Sequence, residues 1–149
     1  MTITDQPTRH AVEASIGIAA PAEKVFDYVT DVRREREWNP QLREAEKLTP
    51  GPIGAGTRYR VRFGRGAGVA VIENTAFERP RSWAATSTSR RLDVRFRGQV
   101  TAVPGGCRLA VHTELFPHGA LRALSPLLRQ VIRRSWQKDL RTIKTITER

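Results

Sequence analysis

Cysteine is nearly absent from this 149-residue sequence, which contains Cys107 alone. A single thiol excludes an internal disulfide and fits a reducing cytoplasm, where we expect the protein to reside. Cys107 alternates with Leu109 and Val111 as residues of a half-buried strand do. No histidine or asparagine motif accompanies it, so the pattern favours a core residue over a nucleophile.

Motifs for metal binding and covalent catalysis are also lacking. His10, His112 and His118 have no carboxylate or cysteine at metal-ligand spacing, so we expect no metal. No serine lies in a nucleophile elbow, which leaves hydrolysis by a Ser-His-Asp unit without support. The glycines between positions 64 and 68 are flanked by strands, and we interpret them as a hairpin loop rather than a phosphate cradle. We therefore expect no cofactor, and no motif identifies an enzyme.

Long apolar runs are missing as well. No stretch approaches the roughly 18 apolar residues that span a bilayer, and the first residues do not resemble a signal peptide. The length suits one ordinary domain that can bury a core without a disulfide or a metal. We expect a single domain over residues 1–149, with residues 1–9 frayed.

Acidic residues are scarce in the second part of the chain. The net charge is +11, and residues 57–149 carry 19 basic and 6 acidic side chains. Arg58, Arg60 and Arg62 alternate with apolar residues, which predicts a sheet with one wet, cationic face. Such a face is either an ordinary solvated surface or a surface that attracts nucleic acid, anionic lipid or an acidic protein. No nucleic-acid fold signature is present, so no specific nucleic acid is predicted.

The residue patterns predict one strand, two helices, six strands and one helix. Pro21 begins a helix over 21–30, Asp31 caps a second over 31–38, and Asn39 and Pro40 end it. The last helix begins near Gly119 or at Ser125-Pro126, with serine as the cap. A strand runs to about residue 19, and the other strands are expected at about 43–49, 57–63, 69–78, 82–89, 92–103 and 107–115. The order indicates an α+β fold.

Four segments and the final helix resemble the START-like, or SRPBCC, superfamily, which includes polyketide cyclases and dehydrases. They are PAEKVFDYVTD at 21–31, EWNP at 37–40, PIGAGTRYRVRF at 52–63 and FERPRSWAATS at 77–87. The resemblance implies a helix-grip fold, with two short helices after the first strand. In that fold a curved seven-stranded antiparallel sheet wraps a long C-terminal helix and leaves a cavity between them.

Candidate ligand-binding residues lie where strand alternation or a helical stripe points inward. They are Trp38, Tyr59, Phe63, Glu73, Trp83, Phe96, Leu128, Ile132 and Trp136. Ser135 and Asp139 are further polar candidates near that stripe. Glu73 shares the strand side of Phe77 unless a bulge turns it to solvent. Tyr59 and Glu73 are the candidates for acid or base catalysis.

Three functions remain open at this point. The first is binding of a small hydrophobic molecule of lipid, polyketide or isoprenoid type. The second is an enzyme similar to aromatase/cyclases, because a shaped cavity with an acid or base suffices for cyclisation of a poly-β-ketone. The third is an interaction protein whose basic surface contacts nucleic acid, a membrane or a protein partner. The protein would be a monomer or a homodimer.

Overall fold

The computed structural model describes residues 11–64 and 68–149. The segment expected to fray, His10 and the tip of the predicted glycine hairpin lie outside the described residues. The elements are β1 (Ala11–Ile18), α1 (Ala22–Thr30), a first 3₁₀ helix (Val32–Glu37), β2 (Leu42–Lys47), β3 (Arg58–Phe63), β4 (Gly68–Glu78), β5 (Ser82–Ser89), β6 (Leu92–Val103), β7 (Gly106–Pro117), a second 3₁₀ helix (Gly119–Leu124) and α2 (Ser125–Thr147).

The seven strands form one curved antiparallel sheet in the order β1-β7-β6-β5-β4-β3-β2. Strands β3 to β7 are successive neighbours, as short strands joined by turns predict. The helix α1 and the first 3₁₀ helix carry the chain from β1 at one edge to β2 at the other. The long helix α2 packs most closely on β1. The predicted α+β helix-grip fold is therefore confirmed.

The helices after β1 begin and end as the sequence indicates. Pro21 is extended and directly precedes the first residue of α1. The Asp31 carboxylate accepts a hydrogen bond from the Arg33 backbone N–H at 3.1 Å and so caps the first 3₁₀ helix. That helix ends at Glu37, just before the Trp38-Asn39-Pro40 sequence.

The start of α2 differs in detail from the prediction. The helix begins at Ser125, the second of the two expected starts, after the short 3₁₀ helix. Ser125 is already helical, and Leu124 occupies the cap position without a capping side chain. The predicted capping role of Ser125 is wrong, because its hydroxyl donates instead to the Arg122 carbonyl oxygen at 2.7 Å.

A bulge in β4 changes which side chains face the interior. Pairing with β5 shifts between Asn74 and Ala76. Before the shift Ile72 and Asn74 lie on the inner side, and after it Phe77 does. Glu73 lies before the shift and is exposed. The prediction that Glu73 faces the interior with Phe77 is therefore wrong, since the extra residue reverses the alternation between them.

The core consists of two clusters. The larger lies between α1, α2 and strands β5 to β7, and the smaller joins the first 3₁₀ helix to β2, β3 and β4. Cys107 is fully buried in the larger cluster, and burial raises the pKa of its thiol. Its predicted place in the core is confirmed.

Candidate ligand-binding interior

Six aromatic side chains form a continuous row through the interior. Their ring centroids are 5.9, 5.6, 5.4, 5.5 and 5.2 Å apart along the row, within the range of direct aromatic contact. The row contains, in order, Trp38, Trp136, Phe96, Trp83, Phe26 and Phe77. It brings together four of the aromatic residues predicted to bind ligand.

Trp136 and Trp83 are held in the row by specific neighbours. The Trp136 indole stacks between Trp38 and Phe96, and its Nε1–H donates to the Thr113 hydroxyl oxygen at 3.0 Å. The Trp83 ring lies over Gly98 on β6, where a Cβ atom would approach the ring to 2.3 Å. A glycine at position 98 is thus required for the ring to reach the row.

Interior side chains near the N-terminal half of α2 are only half-buried. Strand register places Ala85 opposite Phe96, so the two lie on the same inner side of the sheet. The half-buried inner residues include Ile72, Ala85, Val94, Phe96, Leu128 and Ile132. Near the other half of α2, Leu140 and Ile143 are almost fully buried. The interior is thus tightly packed at one end and less completely buried at the other.

Two carboxyl groups lie on facing elements, Glu35 on the first 3₁₀ helix and Asp139 on α2. Asp139 is 7% exposed, and burial raises its pKa to about 6. Glu35 is half-buried. Desolvation raises its pKa to about 7; the hydrogen bond from Asn39 opposes this rise, and the Asp139 charge adds a smaller contribution to it. Asn39 Nδ2 donates to Glu35 Oε1 at 2.9 Å. Both groups can therefore gain or lose a proton near neutral pH.

Two buried donors have no hydrogen-bond partner among the described residues. They are the indole Nε1–H of Trp38 and the hydroxyl of Tyr59. Burial raises the pKa of Tyr59 to about 12, so its hydroxyl remains protonated at neutral pH. Buried donors are nearly always paired in folded proteins. Both groups are therefore available to an acceptor on a bound molecule or to water.

The remaining predicted site residues lie elsewhere in the structure. Tyr59 and Phe63 belong to the smaller cluster beside Val32, not to the aromatic row. Ser135 is half-buried, one turn of α2 before Asp139. Glu73 lies outside the interior, so its proposed ligand contact and catalytic role have no structural basis. Ligand contacts of the other residues stay predictions.

Sequence reasoning missed Glu35, although a signal was present. In a 3₁₀ helix every third residue lies on one side, because there are three residues per turn. Val32, Glu35 and Trp38 have this spacing, and Val32 and Trp38 are buried. Asn74, also missed, is buried and donates through Nδ2 to the Gly54 carbonyl oxygen at 3.2 Å. Its inward position depends on the bulge, for which the sequence carries no comparable signal.

The outer face of the sheet has mixed charge along β3. Arg60 and Glu46 form an ion pair at 2.6 Å, and so do Arg62 and Glu44. The expected cationic face is thus neutralised where it was predicted most strongly, because β2 places glutamates beside the arginines of β3.

Two further classes of feature are missing from the described parts of the chain. Residues 11–64 and 68–149 contain no group of three or more His, Cys, Asp or Glu side chains that could hold a metal ion. No helix in these ranges is long and apolar enough to span a membrane.

The sequence matches a family model over residues 9–148, and the model describes polyketide cyclase / dehydrase and lipid transport proteins. The chain belongs to this family. No curated protein sequence matches it. Membership in the polyketide cyclase / dehydrase and lipid transport family agrees with the helix-grip fold and with the resemblance found in the sequence.

Solved structures of this fold resemble the chain at low sequence identity. A START superfamily protein from Mycobacterium smegmatis is 14% identical with a TM-score of 0.77, over 93% of this chain and 97% of that one. The ZhuI aromatase/cyclase from Streptomyces sp. R1128 is 18% identical with a TM-score of 0.74, over 93% of each chain. The di-domain aromatase/cyclase StfQ of the steffimycin biosynthetic pathway is 12% identical with a TM-score of 0.76, over 93% of this chain and 50% of that one.

Proposed function

We propose that the protein binds a small, largely apolar molecule of lipid, polyketide or isoprenoid type between the sheet and the N-terminal half of α2. The observation that carries the proposal is the incomplete burial of the apolar residues facing the interior there, Leu128 and Ile132 among them. Ligand pockets are mostly apolar with a few polar groups that fix orientation. The family's description, which includes lipid transport, supports the same class of ligand.

The polar groups at the interior suit a ligand that carries oxygen. The free donors of Trp38 and Tyr59 would pair with a carbonyl or hydroxyl oxygen. A protonated Glu35 or Asp139 would donate to the same kind of atom. A pure hydrocarbon would leave these donors unpaired, at a cost of about 1–3 kcal/mol for each buried group.

Ligand binding can be tested by filling the proposed space. Ile132→Trp adds a large ring on the inner side of α2, and we expect it to abolish binding of lipophiles. Val131→Trp adds the same ring one residue earlier, on the exposed side, and should leave binding unchanged. Native mass spectrometry and thermal shift with fatty acids, isoprenoid alcohols and aromatic polyketides would measure binding.

Two results would contradict the binding proposal. One is that none of these lipophiles adds mass to the native protein or raises its melting temperature. The other is that binding occurs but is the same in Ile132→Trp as in the native protein, which would place the ligand elsewhere.

A second candidate function is catalysis of the aromatase/cyclase type. The specific observation in its favour is the pair of interior carboxyl groups, since raised pKa values of about 7 for Glu35 and about 6 for Asp139 suit proton transfer at neutral pH. Cyclisation of a poly-β-ketone needs a proton removed from a carbon beside a carbonyl and a proton supplied to oxygen.

The catalytic candidate predicts that the interior carboxyl groups matter and the exposed Glu73 does not. With a poly-β-ketone mimic as substrate, we expect Asp139→Asn and Glu35→Gln each to slow turnover at least tenfold. Glu73→Gln is the control and should retain full activity, and Tyr59→Phe tests the remaining predicted donor. Turnover that survives both interior substitutions would exclude this chemistry.

A further inference from the structure

The outer side of α2 carries a stripe that nothing in the interior explains. Leu124, just before the helix, is 52% exposed, and Leu127 and Val131 are 58% and 51% exposed. Residues spaced by three and four lie on one side of a helix. Arg134, Lys138 and Arg141 continue the same stripe and are exposed as well. The outer side of α2 is thus apolar at its N-terminal end and cationic further along.

The segment that carries this stripe is strongly basic. No acidic residue occurs between Glu114 and Asp139, a stretch with five basic residues. Among the described residues, none of those five basic side chains forms an ion pair. Arg122 and Arg129 donate only to backbone carbonyl oxygens, at 3.4 and 3.0 Å, and so keep their charge unopposed. The outer face of β3 differs, since two of its three arginines, Arg60 and Arg62, pair with glutamates.

A groove beside the stripe offers room for an anionic group. Its volume is about 660 Å³, and Lys138, Arg141 and Arg149 line it together with two threonines of α2. Glu37 is the acid among its lining residues, and it lies 3.6 Å from the Arg34 guanidinium. The two threonine hydroxyls donate to backbone carbonyl oxygens of α2, so the three cations are the groups suited to phosphate oxygens.

We propose that this outer side of α2 docks on an anionic lipid bilayer. A bilayer surface presents phosphates above an acyl boundary, so it accepts leucine and valine side chains and their cationic neighbours at once. The lack of any acid along the stripe favours such a uniform surface over a protein partner, whose interfaces usually combine both charges. The inner residues Leu128 and Ile132 lie on the same turns, so docking would place the less buried end of the interior close to the membrane.

Vesicle co-sedimentation tests the proposal with the full chain. We expect binding to vesicles of phosphatidylcholine with about one third phosphatidylglycerol, and at least tenfold weaker binding to phosphatidylcholine alone. Binding to the anionic vesicles should weaken steeply between about 0.1 M and about 0.5 M salt. A native protein that stays in solution with anionic vesicles at low salt would overturn the proposal and favour an acidic protein as the occupant.

Matched variants separate docking by α2 from general attraction by a basic protein. The triple change Arg134→Gln, Lys138→Gln and Arg141→Gln should weaken binding about a hundredfold. The pair Leu127→Gln and Val131→Gln, which leaves the charge unchanged, should weaken it at least tenfold. A control triple on the outer sheet face removes the same charge and should change binding by no more than about threefold. It consists of Arg58→Gln, Arg97→Gln and Arg108→Gln. An equal loss in the control triple would overturn the proposal.

Discussion

Replacing Trp136 with alanine is expected to lower the free energy of unfolding by about 3–5 kcal/mol, the usual cost of truncating a packed tryptophan to alanine. The Trp136 ring stacks on Trp38 on one side and on Phe96 on the other. It therefore connects Trp38, which directly follows the first 3₁₀ helix, to Phe96 on β6 of the sheet. Its loss would also leave the Thr113 hydroxyl without its donor. Urea unfolding followed by circular dichroism measures the change.

Two variants control for this result. Trp136→Phe keeps an aromatic ring but loses the hydrogen bond to Thr113, and it should cost about 1–2 kcal/mol. Gln137→Ala changes the exposed neighbour on α2 and should stay within about 0.5 kcal/mol of the native protein. A loss below about 1 kcal/mol for Trp136→Ala would show that the row does not hold α2 on the sheet.

Four of the six members of the row were accessible to sequence reasoning, because each of the four follows a regular period. Trp83 and Phe96 lie on the inner side of alternating strands, and Trp136 lies on the apolar stripe of a helix. Burial of one side of a strand or helix requires apolar residues at a fixed spacing, so this spacing can be recognised in a single sequence. Residue spacing does not predict how the sheet and the helix are arranged relative to each other. The resemblance to a known family predicted that arrangement.

Features that break a period were not predictable in the same way. The position of Glu73 depends on one extra residue between Asn74 and Ala76, and a bulge leaves no fixed residue signature in a strand of mixed side chains. The proximity of Glu35 to Asp139 depends on how the first 3₁₀ helix packs beside α2, a contact between segments about 100 residues apart along the chain. Spacing within each segment cannot report such a contact.

The charge pattern shows a related limit. The sequence located the basic excess in the second part of the chain, yet strand pairing decides which arginines keep an unopposed charge. Arg60 and Arg62 lose it to glutamates of β2, whereas Arg134 and Lys138 form no ion pair within the described part of the chain. Net charge therefore predicted the size of the excess but not the surface that displays it.

Replacing Asp139 with asparagine is expected to stabilise the protein by about 2–3 kcal/mol at pH 8. Burial raises the Asp139 pKa from 3.8 to about 6, so the folded state holds its proton more tightly than the unfolded chain. The stability from this group is complete below about pH 4 and is lost as pH rises through about 6. Each pKa unit corresponds to about 1.4 kcal/mol. Asparagine cannot ionise, so the variant avoids the loss.

Glu35→Gln should also increase the free energy of unfolding, over a higher pH range, because the Glu35 pKa is raised to about 7. Urea unfolding at intervals from pH 4 to pH 8 should show the two variants and the native protein nearly alike at pH 4, with the difference growing from pH 4 to about pH 6 for Asp139→Asn and to about pH 7 for Glu35→Gln. In Asp139→Asn, the Glu35 pKa should also decrease, since a nearby negative charge contributes to its rise.

Asp27→Asn provides a control of opposite sign. A hydrogen bond from Arg79 lowers the Asp27 pKa, so that carboxylate contributes stability that is present above its unfolded pKa and is lost as pH falls. Asp27→Asn should therefore lower stability at neutral pH, while Asp139→Asn raises it. The stability difference between Asp139→Asn and the native protein could instead stay constant from pH 4 to pH 8. The Asp139 pKa would then not be raised by burial, and Asp139 could not serve as the interior acid.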